Sequence, residues 1–270
     1  MLIMNDERER GGFKAVAFGL WCVVSVFTMT VECLAEDVTV ALATNFLNPF
    51  KELTREFEQV TNHRVRVSSG SSGKLYAQIL HGAPFDIFFS ADSERPQQLE
   101  KSGLGVQGRR FTYAIGQLAL WTAKGNSELV DGLKVLRLGS FRHLAISNPV
   151  TAPYGRAARQ TLESLDLWSS LRSRIVQGEN VGQTFQFVIT GNAEWGLIAF
   201  SSLNDPRVSL KGSYWKVPMK LYDSLEQDVI LLSRGESNVA ALALLEFIQR
   251  PVAQSMIQQY GYLLLREKTE

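Results

Sequence analysis

Segments with strand and helix character alternate along most of this 270-residue chain, and this alternation limits the folds open to it. The first three strand-like runs are VTVALA at 38–43, RVRV at 64–67 and DIFF at 86–89. Apolar residues with helical spacing lie between them at 48–60 and 75–80, and a third helix is predicted near 93–101. A β-α-β-α-β order is typical of a parallel sheet with helices on both faces. We therefore predict an α/β fold class.

A second set of alternating segments follows the first. Its strands are predicted at 118–122, 143–147, 175–177, 196–200 and 228–232. Its helices are predicted at 156–165, 185–190, 238–250 and 252–260. In sheets of this kind, ligands bind at the carboxyl ends of the strands. The polar loops that follow the predicted strands are therefore the candidate binding sites.

One of these loops, from Ser68 to Gly73, contains four serines and two glycines between a strand and a helix. The backbone N–H groups of such a loop can converge on an anion, and the positive end of the helix dipole lies behind them. An ordinary serine N-cap with flexible glycines is an equally simple interpretation. The anion interpretation is favoured because polar loops recur after the other strands, at 43–45, 148–155 and 178–184.

The N-terminal segment has the pattern of an export signal. Residues 15–31 carry no charge, Arg8, Arg10 and Lys14 precede them, and Cys33-Leu34-Ala35 is a small-x-small cleavage pattern. We predict a signal peptide at 1–35, cleaved near Ala35, and a mature protein in the cell envelope. The alternative is an uncleaved membrane anchor, since seventeen residues is about the lower limit for a span. Cys22 and Cys33 both lie in this segment, so the mature chain contains no cysteine.

The composition after position 35 excludes several classes of protein. The 25 Lys and Arg residues nearly balance the 23 Asp and Glu residues, so no general affinity for nucleic acid or anionic membranes is expected. His63, His81 and His143 are isolated and have no second ligand at metal spacing. No nucleophile motif with a histidine partner is present. We predict neither an enzyme nor a direct metal-cation site.

Six motifs occur in a fixed order along the chain: ATNF at 43–46, SSGSSGKL at 68–75, GAPFDIFFSAD at 82–92, SNPVTAPYG at 147–155, GENVGQ at 178–183 and GLIAFSSL at 196–203. This succession resembles the periplasmic molybdate-binding proteins of ABC importers, and it covers nearly the whole mature chain. The resemblance implies a type II periplasmic-binding-protein fold, with two α/β lobes and an oxyanion in the cleft between them. It places the first lobe at 36–114 plus 226–270 and the second at 115–225.

The family's ligand positions in the first lobe transfer by motif. Many members have a serine after the first strand, where this chain has Thr44 and Asn45. A subgroup of the family shares this Thr-Asn pair, so the resemblance assigns both residues to the ligand. The serine loop contributes a hydroxyl and an amide, matched by Ser72 with Ser71 beside it.

The second lobe contributes Tyr154 and Val181. Tyr154 stands where many relatives have alanine, and the Thr-Asn subgroup shares it. Its backbone amide is implied to contact the ligand, and its phenol is a further candidate donor. Val181 matches a backbone donor of the fourth loop. Many relatives supply a tyrosine hydroxyl after the 196–200 strand, where this chain has Ala199 and Phe200, and Tyr154 is expected to replace that donor.

The chemistry of the assigned set suits a tetrahedral dianion. A buried dianion without partners costs several kcal/mol, so it needs many donors. The assigned donors are the neutral side chains and amides of Thr44, Asn45, Ser71, Ser72, Tyr154 and Val181. The positively charged residues close to these loops are Lys74 and Arg156, which lie just inside helices. A site of fixed neutral donors selects among oxyanions by their size and geometry. In a cavity with the dimensions of molybdate, the donors are too distant from the smaller sulfate.

Three functions follow as alternatives at this point. The first is capture of molybdate or tungstate in the periplasm and delivery to an ABC permease, by a monomer that needs no cofactor. The second is binding of another tetrahedral oxyanion such as sulfate or phosphate, although no loop carries a carboxylate to accept the proton of phosphate. The third is a non-transport sensor on the same fold, although no signalling segment is fused to the chain.

Overall fold

The computed structural model describes residues 36–205 and 211–265, with the backbone alone at 126–128. The predicted signal peptide at 1–35, and with it the alternative of a membrane anchor, lies outside the described residues. Within them, no helix is both long enough and apolar enough to cross a membrane. Cleavage near Ala35 therefore stays a prediction.

Eleven strands run through the described residues. They are β1 (Asp37–Ala43), β2 (Arg64–Gly70), β3 (Ile87–Phe89), β4 (Gly105–Gly116), β5 (Leu118–Thr122), β6 (Asn126–Leu129), β7 (Leu144–Ser147), β8 (Ile175–Gly178), β9 (Trp195–Ala199), β10 (Gly212–Lys216) and β11 (Leu225–Leu232). The apolar runs of β3, β5 and β7 are buried along their whole length, as expected of strands covered on both faces.

The described residues also form nine α-helices. They are α1 (Leu47–Thr61), α2 (Ser72–Leu80), α3 (Glu94–Lys101), α4 (Gly132–Leu138), α5 (Pro153–Ser164), α6 (Trp168–Leu171), α7 (Val181–Ile189), α8 (Val239–Ile248) and α9 (Pro251–Gln259). In α1, the helically spaced Phe50, Leu53 and Phe57 are fully buried, so this amphipathic face holds the helix on the sheet.

The first sheet has the strand order β2-β1-β3-β11-β4. Strands β2, β1 and β3 are parallel, whereas β11 pairs antiparallel with both β3 and β4. Helices α1, α8 and α9 pack on one face, and α2 and α3 pack on the other. The long strands β4 and β11 connect this sheet to the rest of the chain, since β5 begins two residues after β4 ends.

The second sheet has the order β6-β10-β5-β9-β7-β8. Its parallel strands β9, β7 and β8 are covered by α5 and α7, and β5 runs antiparallel to β9 and β10. Two sheets flanked by helices confirm the predicted α/β class. Parallel pairings make up five of the nine that join the described strands, so the sheets are more mixed than predicted. The lobe boundaries stay predictions.

The structure differs from the sequence patterns in two respects. Five elements were not predicted, namely β4, β6, β10, α4 and α6. Three helices also begin about one turn earlier than their apolar periodicity indicated: α2 at Ser72, α5 at Pro153 and α7 at Val181. This second difference changes the chemistry of the candidate site, because it moves the predicted ligand residues from loops into first helical turns.

Candidate anion-binding site

Strand register brings the polar loops together in pairs. In the first sheet Ala43 pairs with Gly70, so the residues that follow β1 and β2 are neighbours. In the second sheet Ser147 pairs with Gly178, so the residues that follow β7 and β8 are neighbours as well. The two pairs meet where the N–H of Gly73 donates to the carbonyl of Thr151 over 2.8 Å. All four loops therefore reach one place between the sheets.

Three of these loops lead directly into the N-terminus of a helix. Ser72, Pro153 and Val181 are the first residues of α2, α5 and α7. Pro153 suits the first helical position because it has no N–H to leave unpaired. The Asn180 side chain caps α7 by accepting from the Gln183 N–H over 3.0 Å. The first-turn N–H groups have no acceptor within their own helix, and each helix dipole adds partial positive charge, so anions are favoured here.

The helix ends enclose a small cavity. Its lining contains all six residues assigned from the sequence, namely Thr44, Asn45, Ser71, Ser72, Tyr154 and Val181. The other lining residues are small or neutral, namely Ala43, Gly70, Ala91, Ala152, Pro153 and Asn180. No charged residue of the described chain belongs to this lining. A ligand here is held by neutral donors and helix dipoles.

The Ser71 hydroxyl is the most informative side chain of the site. The residue is 4% exposed, and its Oγ atom has no hydrogen-bond partner among the described residues. It occupies the N-cap position of α2 without making the usual capping bond. Burying a hydroxyl without a hydrogen-bond partner is unfavourable, and nearly all buried hydroxyls in proteins have a partner. The Ser71 hydroxyl is therefore free to donate to a ligand.

Ser72 also keeps a hydrogen to donate. Its Oγ accepts from the Ala91 N–H over 2.9 Å, and the residue is 1% exposed. An oxygen that accepts this bond still has its own hydrogen for a second partner. The Ala91 contact fixes the orientation of the hydroxyl.

Thr44 and Asn45 use their side chains differently from the expectation. The Thr44 hydroxyl donates to the Gly70 carbonyl over 2.9 Å. The Asn45 amide nitrogen donates to Gln227 Oε1 over 2.8 Å and to the Tyr262 hydroxyl over 3.0 Å, which uses both of its hydrogens. Because these partners are on the protein, the donors that Thr44 and Asn45 still offer at the cavity are their backbone N–H groups.

Tyr154 is the second residue of α5 and is 1% exposed. Its hydroxyl accepts from Gln227 Nε2 over 3.1 Å, and Gln227 is outside the cavity lining. Burial raises the pKa of Tyr154 well above its usual value of 10, so the phenol stays protonated. Its position in the first turn makes the backbone N–H of Tyr154 a donor at the cavity.

Lys74 and Arg156, the two cations noted in the sequence, are paired with carboxylates across the rim of the cavity. Lys74 in α2 forms an ion pair with Glu179, which precedes α7. Arg156 in α5 contacts Glu94 in α3 over 3.2 Å. Each pair joins an element of the first sheet to one of the second. They hold the walls together from outside the lining, and neither places a charge in the cavity.

Sequence reasoning missed the residues behind the cavity. Gln227, Tyr113 and Tyr262 are buried there. Gln227 and Tyr262 bond to polar side chains of lining residues, and the Tyr113 hydroxyl donates to Gln227 Oε1 over 3.0 Å. A signal was available in strand β11, where the polar residues Glu226, Gln227 and Asp228 interrupt an otherwise apolar sequence. Asn180 was also available as an N-cap before an apolar helix.

Comparison with known proteins places this geometry in a family context. A family model described as bacterial extracellular solute-binding protein matches residues 38–263, a span that includes every loop of the cavity. The molybdate-binding protein ModA of Azotobacter vinelandii is 43% identical over 242 residues, or 89% of this chain and 96% of that protein. The ModA protein of Rhodobacter capsulatus is 37% identical over 245 residues, or 91% and 95% of the two chains.

A solved structure is also similar over nearly its full length. The periplasmic molybdate-binding protein of Azotobacter vinelandii matches with a TM-score of 0.80 and 38% sequence identity. The match covers 84% of this chain and 99% of that one. The similarity therefore extends over both sheets and the cavity between them.

Proposed function

Since the chain belongs to the bacterial extracellular solute-binding proteins, and within them to the ModA molybdate-binding proteins, we propose that its cavity captures molybdate or tungstate. It is a binding protein and not an enzyme. It works in the periplasm and delivers its oxyanion to the membrane permease of an ABC transporter. The captured ion is cargo, so no resident cofactor takes part.

The unpartnered Ser71 hydroxyl in an uncharged cavity is the observation that carries this proposal. A carboxylate or phosphate monoanion can be held by a Lys or Arg ion pair, but a fully deprotonated tetrahedral dianion can be held by many neutral donors alone. The hydroxyls of Ser71 and Ser72 and the first-turn amides of α2, α5 and α7 supply such donors from several directions. The ligand-binding roles of Thr44, Asn45, Ser71, Ser72, Tyr154 and Val181 are part of the proposal.

Calorimetry with four oxyanions tests the proposed ligand. We expect the purified protein to bind molybdate and tungstate at least about a hundredfold more tightly than sulfate or phosphate, which corresponds to about 2.7 kcal/mol. The reason is that fixed donors placed for a larger tetrahedron cannot all reach a smaller one. Sulfate or phosphate binding at an affinity equal to that of molybdate would contradict the proposal.

Export and assembly are further parts of the proposal. We infer that residues 1–35 direct the chain to the periplasm and are removed near Ala35, and that the mature protein acts as a monomer. Mass spectrometry of the protein from periplasmic extracts should find a mature N-terminus at or near Glu36. Recovery of the intact 15–31 segment would instead support a membrane anchor.

A further inference from the structure

Strand β11 places a buried amide directly behind the cavity. Gln227 is 0% exposed, and it lies in a strand whose other residues are mostly apolar. A buried glutamine side chain has two donor hydrogens and an acceptor oxygen, and leaving them unpaired is unfavourable. The partners that Gln227 uses are therefore informative about its role.

Its partners include two residues that line the cavity. Gln227 Oε1 accepts from Asn45 Nδ2 over 2.8 Å and lies 3.0 Å from the Tyr113 hydroxyl. Gln227 Nε2 donates to the Tyr154 hydroxyl over 3.1 Å. Asn45 follows β1 of the first sheet, whereas Tyr154 lies in the first turn of α5, which covers the second sheet. One amide group thus links opposite walls of the cavity.

A β-bulge and a glycine make these contacts possible. Gln227 pairs with Ala114 but Asp228 pairs with Thr112, so Tyr113 is an extra residue of β4. A bulge redirects side chains, and here the Tyr113 hydroxyl reaches Gln227. At Gly116, a Cβ atom would overlap the Tyr154 hydroxyl and lie 2.5 Å from Gln227 Nε2.

We propose that Gln227 is a positioning residue. It holds Asn45 and Tyr154 where their backbone amides can bind the oxyanion, and Gln227 itself does not contact the oxyanion. The inference rests on the proposed function. Without Gln227, the Asn45 amide loses one of its two acceptors and the Tyr154 phenol loses its donor. The turn at 44–46 and the N-terminus of α5 then lose their common support, and the donors at the cavity no longer converge.

The substitution Gln227→Met tests this role, because methionine has a similar length and makes none of the three contacts. We expect the molybdate affinity of the folded variant, measured by calorimetry, to fall at least about tenfold. The matched control is Thr161→Val in α5, which removes a buried hydroxyl whose only described partner is the Ala157 carbonyl of the same helix. The control is expected to change thermal stability and leave molybdate affinity at the parental value.

A double substitution separates positioning from independent ligand contacts. Tyr154→Phe deletes the hydroxyl that Gln227 contacts and keeps the ring and the backbone amide. If Gln227 acts through Tyr154, the loss of affinity in Gln227→Met/Tyr154→Phe will be smaller than the product of the two single losses. Losses that multiply, or a folded Gln227→Met variant with parental affinity, would overturn the inference.

Two further results keep the test decisive. If the parent protein binds neither molybdate nor tungstate, the proposed function fails, whereas parental binding with an unaffected Gln227→Met variant rejects only the inference. If Gln227→Met does not fold, Gly116→Ala displaces the same contact from the side of β4. A tenfold loss of affinity in Gly116→Ala supports the positioning role, and parental affinity rejects it.

Discussion

Replacing Ser71 by aspartate is expected to abolish molybdate binding while the ligand-free protein stays folded. The Ser71 side chain is buried at the cavity and has no hydrogen-bond partner among the described residues, so its loss breaks no described contact within the protein. A carboxylate at this position faces the dianion. Two unit charges 4 Å apart interact by roughly 4 kcal/mol at an effective dielectric constant of 20, and the second charge of the oxyanion adds to this. We expect a loss of more than about a thousandfold by calorimetry.

Ser71→Asn isolates the effect of the charge, and two alanine substitutions measure the loss of a single donor. Ser71→Asn has the size of the aspartate variant without its charge, and Ser71→Ala removes a single donor, which costs roughly ten- to a hundredfold in affinity. Ser72→Ala should lose a similar factor and also some thermal stability, because the Ala91 N–H loses its acceptor. Binding by Ser71→Asp within tenfold of Ser71→Asn would show that Ser71 does not face the ligand.

A methyl group at Gly73 is expected to keep the cavity from closing. A Cβ atom at this position would lie 2.8 Å from the Thr151 carbonyl oxygen and 3.0 Å from its Cα, and both are backbone atoms of the opposite wall. Because a backbone cannot rotate out of the way, Gly73→Ala should weaken molybdate binding at least about tenfold, in the range of overpacking penalties of 1–3 kcal/mol. Gly73→Val should weaken it further, with little change in the stability of the ligand-free protein.

Small-angle scattering gives this prediction a second measurement. The parent should become more compact when molybdate is added, because the ligand favours the state in which both walls contact it. Gly73→Ala should show less compaction. The control is Gly70→Ala, since a Cβ there meets only the Leu75 side chain at an ordinary distance of 3.5 Å. If Gly73→Ala binds and compacts like the parent, the close contact with Thr151 does not form in the bound state.

Eight of the eleven described strands and the residues that line the cavity could be predicted because their signals are local. The apolar runs of β3, β5 and β7 are buried from end to end, and polar loops follow them directly. The starts of α2, α5 and α7 were predicted late, for a physical reason. Apolar periodicity marks the part of a helix that packs on the sheet, whereas first-turn residues such as Ser72 and Tyr154 face the cavity. Capping residues would have corrected this, since Pro153 and Asn180 mark the starts of α5 and α7.

The use made of each side chain could not be predicted, because it depends on contacts that are distant in sequence. Asn45 and Gln227 are 182 positions apart, and no local pattern indicates that their amides meet. Strand β4 lacks a regular alternation, with Gly105 and Gly108 near its start and a bulge at Tyr113, so its pairing with β11 is set by tertiary structure. These contacts join the Asn45 and Tyr154 side chains to Gln227 behind the cavity.

The uncharged lining of the cavity has a consequence for the end of each transport cycle. No lining residue of the described chain gains or loses a proton at ordinary pH, so acidity near the membrane gives no chemical signal for release. Because the cavity lining holds no positive charge, neutralising a charged side chain there cannot release the dianion either. Unloading therefore has to be mechanical: the permease must separate the two walls and break the Gly73–Thr151 contact and the rim ion pairs at Lys74 and Arg156. In such a binding protein, the permease that receives the oxyanion must supply the work of release.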